Sequence, residues 1–229
     1  MARLKAIFWD IDGTLIRAGG AGEQAWLQAM KELYGVDATM HGISWAGRTD
    51  PYISTLFFEK FDLPAEPEAV EAFLGKYVEY LPAELEETAG EVLPGVSELL
   101  EHIRDHPEVE QGLLTGNVRE GAEHKLRYYG IWDYFSVGGF ADGIYDRPAI
   151  ARQALEAGRR AWDPDLSGPD VVVIGDTPFD IECGRAIGAR TVGVGTGYCP
   201  RETLVAAEPD FYYADLTDVD RFLEETGLA

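Results

Sequence analysis

Val171-Val172-Val173-Ile174 is an unbroken β-branched run, followed at once by Gly175-Asp176. Such a run has no polar face, so it predicts a strand buried on both sides, as in a mostly parallel sheet covered by helices. Further apolar runs predict strands at 5–10, 110–115, 134–137 and 190–194, with a weak one near 211–213. Helical spacing occupies the intervals between them. One helix is expected over 119–129, ending at Gly130, and another over 148–159 with Pro148 in its first turn. A third covers 179–187 up to Gly188, and Thr217 is expected to cap the last, whose Val219, Phe222 and Leu223 face inward. Alternating strands and helices indicate an α/β fold.

Residues 17–92 break this rhythm. Trp26, Leu27, Met30, Leu33 and Tyr34 fall at helical spacing within 23–34, and helical patterns recur at about 51–60 and 67–80. No strand alternates with them. The segment therefore reads as an all-helical insertion between the first two core strands, dividing the chain into a core of 1–16 and 93–229 and a helical unit of 17–92. Gly19-Gly20-Ala21-Gly22 and Leu93-Pro94-Gly95 are the expected hinges.

The 229 residues, 46% hydrophobic, suffice for a sizeable core. A formal charge of −22 argues against nucleic acid and anionic membranes as partners. It leaves a phosphorylated substrate open, because a local cation reverses the field inside a pocket. No apolar run approaches the length of a membrane span, and Met-Ala-Arg-Leu-Lys does not lead into a signal peptide. Cys183 and Cys199 lack metal-type spacing; Cys183 falls on a helix as a small core residue, and a reducing cytoplasm fits best. The sequence does not set the oligomeric state and is compatible with a monomer.

The chemistry collects where the strands end. Asp10-Ile11-Asp12-Gly13-Thr14 follows Ala6–Trp9, so Asp10 and Asp12, two residues apart, leave the strand tip together. Thr115-Gly116-Asn117 follows the 110–115 strand and holds the chain's single asparagine. Such a loop either offers amides to an anion or simply caps a helix. Asp176 ends the 171–175 strand, and Asp180 opens the next helix as a ligand or an ordinary cap. Like charges roughly 4 Å apart cost about 4 kcal/mol at an effective dielectric of about 20. Converging carboxylates therefore imply a bound cation, and oxygen-only ligands point to Mg²⁺. Lys125, one of only five lysines, and Arg147, just before Pro148, compete as the cation of the site. Gly193-Val194-Gly195-Thr196-Gly197 lacks the spacing of a dinucleotide loop.

Asp-x-Asp-Gly-Thr, Thr-Gly-Asn, a downstream lysine and Gly-Asp-x-x-x-Asp, in that order, resemble the haloacid dehalogenase superfamily. The layout is closest to its phosphoglycolate-phosphatase-like members, and Gly47-Arg48-Thr49-Asp50 also resembles some of these hydrolases. The resemblance implies a Rossmann-like doubly wound core under a mobile helical cap. It assigns Asp10 as nucleophile, giving an aspartyl-phosphate, and Asp12 as general acid and then base. It places Mg²⁺ between Asp10, the Asp12 carbonyl and Asp176, with Asp180 acting through water or orienting Lys125. Thr115, Gly116 and Asn117 would hold the phosphoryl oxygens, and Lys125 would neutralise nucleophile and transferring group. Arg147 is then a structural salt bridge or a second phosphate contact, and Arg48 is the substrate candidate on the cap. Asp50-Pro51 reads as a plain helix start.

The expected reaction is hydrolysis of a small phosphate monoester. Asp12 speaks against dehalogenases and phosphonatases, which need no acid for an alkoxide. A sugar-phosphate mutase is the alternative, although residues 17–24 lack the histidine usual there. A phosphoacceptor domain or an idle binder ranks below both.

Overall fold

A computed structural model describes residues 3–228. Its centre is a six-stranded sheet of β1 (Ala6–Trp9), β4 (Glu110–Leu114), β5 (Val137–Gly139), β6 (Val171–Gly175), β7 (Arg190–Val194) and β8 (Phe211–Tyr213). Their spatial order is β5-β4-β1-β6-β7-β8, and every pairing is parallel. The chain builds outward from β1 through β4 and β5, then returns to β6 on the other side of β1. Ligand crevices in such sheets open at the carboxyl ends of the strands, where the order reverses.

Strand alternation divides the core between the two faces. Ile7 and Trp9 pack with Val96, Leu99 and Ile103 of α4 (Val96–Arg104), Leu126 of α5 (Arg119–Tyr128) and Phe222 of α9 (Val219–Thr226). Ala6 and Phe8 point the other way, into Ile150, Ala151 and Ala154 of α6 (Arg147–Ala161) and Cys183 of α7 (Pro178–Ile187). Cys183 and Cys199 are both free thiols.

Between β1 and α4 the chain leaves the sheet through β2 (Ile16–Arg17) and returns through β3 (Glu91–Val92), which pair antiparallel as a two-stranded ribbon. The excursion consists of α1 (Ala21–Tyr34), α2 (Asp50–Lys60) and α3 (Pro67–Glu87). These helices share a separate aromatic cluster, in which Trp26 meets Phe57 and Phe73 edge-on with ring centroids 5.7 and 5.1 Å apart.

Several expectations require correction. The third core strand, β5, lies at 137–139, not 134–137, because Trp132–Tyr134 form a 3-10 turn first. The third helix continues through Pro82 to Glu87, held by buried Leu81 and Leu85 on its inner face. Asp218, not Thr217, caps the last helix by accepting from the Arg221 N–H; Thr217 is bound instead to Asp215. The β2–β3 ribbon was too short to show as a strand pattern.

Candidate active site

Three segments meet at the carboxyl edge of the sheet. Asp10 follows β1 and is tied to the neighbouring β6 by its N–H, which donates to the Ile174 carbonyl at 2.9 Å. Gly13, at φ +86, lets the chain turn back over Asp176; a Cβ there would lie 2.8 Å from the Asp176 carboxylate, so no other residue fits. Thr115–Asn117 follow β4, and Asp176 follows β6. Together they floor a cavity of about 190 Å³, roofed by Trp26, Met40, Trp45 and Ile53 of the helical excursion.

The ionic groups form two sets. In the first, one carboxylate oxygen each of Asp10, Asp176 and Asp180 lies within 4.8 Å of the others, all three residues buried. Arg147, at the start of α6, bonds Asp180 and stands 3.7 Å from Asp10. Asp180 also accepts from the Thr177 N–H at 3.0 Å and hydroxyl at 2.7 Å, so it is a helix cap as well. One guanidinium among three carboxylates leaves an excess of two negative charges. Burial first, then Asp180, pushes the Asp10 carboxyl up to about 8 against the pull of Arg147. Burial, Asp180 and Asp10 likewise raise Asp176 well above the usual carboxylate range. This pit fits a divalent cation: oxygen donors only, buried, and short of two positive charges.

The second set is self-sufficient. Lys125 on α5 is buried and donates to Asp12 at 2.6 Å and to Asn117 Oδ1 at 2.7 Å. The Asn117 amide nitrogen donates to Asp12 at 2.8 Å and to Thr115 Oγ1 at 2.8 Å. Burial works against the Lys125 charge, but Asp12, Tyr77 and Asp50 outweigh it and hold the ammonium above its ordinary range.

The sequence candidates are therefore brought together, with differences in detail. Asp10, Asp12, Gly116, Asn117, Lys125, Arg147, Asp176 and Arg48 all line the cavity. Thr115 does not: its side chain is fully buried and its hydroxyl serves Asn117. Asp180 lies behind the wall and pairs with Arg147, not with Lys125. Lys125 pairs with Asp12, and Arg147 is the cation beside Asp10. The Arg48 guanidinium stacks 4.3 Å from the Phe179 ring centroid and 4.9 Å from that of Tyr52, and its buried Nε has no partner among the described residues.

Two features went unread in the sequence. Thr196, from the glycine-rich segment set aside above, donates to the Gly13 carbonyl at 2.6 Å and lines the cavity. Asp50 does start α2, but its carboxylate is buried against the core, where burial pushes it up to about 7 despite the attraction of Lys125. Thr49 already caps that helix through the Tyr52 N–H, so Asp50 has no capping duty to explain it. The adjacent Thr-Asp pair was the available signal.

Residues 4–188 match the haloacid dehalogenase-like hydrolase family, and the chain belongs to it. A phosphoglycolate phosphatase of Synechococcus elongatus is 30% identical over 129 residues, covering 56% of this chain and 58% of that protein. The pyrophosphatase PpaX of Bacillus velezensis is 24% identical over 227 residues, covering 99% and 98%. The crystal structure of CbbY from Rhodobacter sphaeroides in complex with phosphate shares the fold, with a TM-score of 0.77 at 18% identity over 94% of this chain and 96% of that one. Among the described residues no helix is long and apolar enough to cross a membrane.

Proposed function

We propose that this chain is a Mg²⁺-dependent phosphatase that hydrolyses a small phosphate monoester through an aspartyl-phosphate on Asp10. The observation that carries the reading is the pairing of a charge-deficient carboxylate pit with a separately neutralised Asp12 in one cavity. Asp10 and Asp176, with Asp180 behind them and the Asp12 carbonyl, would hold the cation. When bound, Mg²⁺ neutralises the carboxylates and the phosphoryl oxygens, letting two anions approach.

The protein's own groups do the rest. Asp10, at the strand tip, attacks phosphorus in line with the departing oxygen. Arg147 holds Asp180 fixed and offsets charge next to the nucleophile. The loop of Gly116 and Asn117, which lines the cavity, would meet the transferring oxygens. Asp12 delivers a proton to the alkoxide, then takes one from the water that opens the aspartyl-phosphate. Lys125 and Asn117 fix Asp12 in place for both steps. Residues 17–92 act as a cap on the core of 1–16 and 93–229, excluding water when seated, and Arg48 contacts the remote part of the substrate.

Turnover of p-nitrophenyl phosphate and of alkyl phosphates, with Mg²⁺ and again after chelation, tests the reading. Release of phosphate that stops with EDTA and returns with Mg²⁺ is the expected result. Stoichiometric labelling without turnover would make the chain a phosphoacceptor instead.

A further inference from the structure

We infer that Asp50, a residue of the helical excursion, is a positioning residue that fixes Asn117 and, through it, the acid–base Asp12. The chemistry of this inference rests on the phosphatase reading; its geometry does not.

Asn117 lies between two peptide groups, and Asp50 binds both. The Asp50 N–H donates to the Gly116 carbonyl at 2.7 Å, which orients the peptide before Asn117. The Asp50 carboxylate accepts from the Val118 N–H at 2.8 Å, which orients the peptide after it. The core contributes one contact of its own to each peptide, from the Asn117 N–H to Thr115 Oγ1 at 3.3 Å and from the Ala141 N–H to the Asn117 carbonyl at 2.9 Å. The approach is too close for a side chain: a Cβ on Gly116 would lie 2.2 Å from the Arg48 carbonyl. A second tie, from the Thr49 hydroxyl to the Tyr145 carbonyl at 3.2 Å, seats the same segment on the core.

Energetics point the same way. A buried carboxylate with a single backbone donor is a poor stabiliser, since desolvation offsets most of the gain. Val118 N–H and Gly116 C=O would both find water if the excursion lifted away. The contact therefore adds little to folding and much to the shape of the loop. Asn117, so held, aims its side-chain nitrogen at Asp12 and presents its side-chain Oδ1 to Lys125. The acid–base corner is thus completed from the other side of the cavity, and only when the two sides touch.

The test compares Asp50→Ala and Asp50→Asn on two substrates by kcat/KM, which reports steps up to phosphoryl transfer. Ethyl phosphate needs a protonated leaving group, whereas p-nitrophenyl phosphate does not. Asp50→Ala should lose about 100-fold on ethyl phosphate but no more than about fivefold on p-nitrophenyl phosphate. Asp50→Asn keeps an acceptor for Val118 and should recover most of the loss. Equal losses on both substrates, or no loss, would overturn the inference, because a merely structural contact moves both alike. If the wild type turns over neither substrate, the phosphatase reading fails, and amide exchange still judges the geometry. Faster exchange at Asn117 and Val118 in Asp50→Ala supports the positioning role; unchanged exchange overturns it.

Discussion

The two halves of the cavity floor solve the same electrostatic problem in opposite ways. Around Asp12, every negative charge is met by a built-in partner, Lys125, and the spare hydrogen-bonding capacity of that lysine and of Asn117 is used internally. Around Asp10, three buried carboxylates share one guanidinium. The first half is complete without help, and the second is left short of positive charge. Proton transfer needs a residue whose partners do not change, whereas phosphoryl transfer needs charge that arrives with the ligand. On the proposed reaction, segregating the two lets one pocket do both.

The contrast can be broken at its strongest point by Asp10→Asn. Turnover should fall by about 10⁴-fold or more, as for a removed nucleophile. At neutral pH the metal-free variant should also melt higher than the wild type, since folding no longer bears the cost of taking an ionisable carboxyl into the pit. Appreciable residual activity, read by phosphate release, would reject the assignment.

Lys125→Met attacks the other half. Here removal of charge should hurt stability, leaving Asp12 and Asn117 without their donor. Because the Asp12 side chain is 39% exposed, solvent screens the loss, and about 1–2 kcal/mol in chemical denaturation is expected, below the cost for a fully buried pair. A variant as stable as the wild type would mean that the lysine is not the partner inferred.

The smallest effect sharpens the comparison through pH. The Asp10 carboxyl is held at about 8 in the folded chain against 3.8 ordinarily, so folding favours its protonated form. Its contribution is intact below the ordinary value and disappears as pH rises through about 8. In EDTA the melting temperature should therefore fall from pH 6 to pH 8. Mg²⁺, which binds the ionised pit, should raise it more at pH 8 than at pH 6. A melting temperature indifferent to Mg²⁺ at pH 8 would count against the cation site.

Much of this was legible in the chain. The β-branched run at 171–174 and the Asp pair after 6–9 were enough for the sheet and its working edge, because both are local patterns with one physical reading. The helical unit was visible through the spacing of Trp26 and Met30, although Pro82 hid the length of its last helix. Pairings were not legible. Lys125 and Arg147 carry the same charge and lie in similar sequence contexts, and only the packing of α5 and α6 decides which faces Asp12 and which faces Asp10. The role of Asp50 was hidden for the same reason: its partners are backbone atoms more than sixty residues away.

The ribbon of β2 and β3 has an evolutionary implication. Arg17 and Glu91 are paired neighbours, so the excursion begins and ends at one place, a strand spacing apart. Excising everything between them and closing the gap with a tight turn would leave an ordinary hairpin on an unaltered sheet, at little loop-closure cost. An architecture of this kind can exchange its helical unit by recombination at a single point, leaving the sheet and its carboxyl edge untouched.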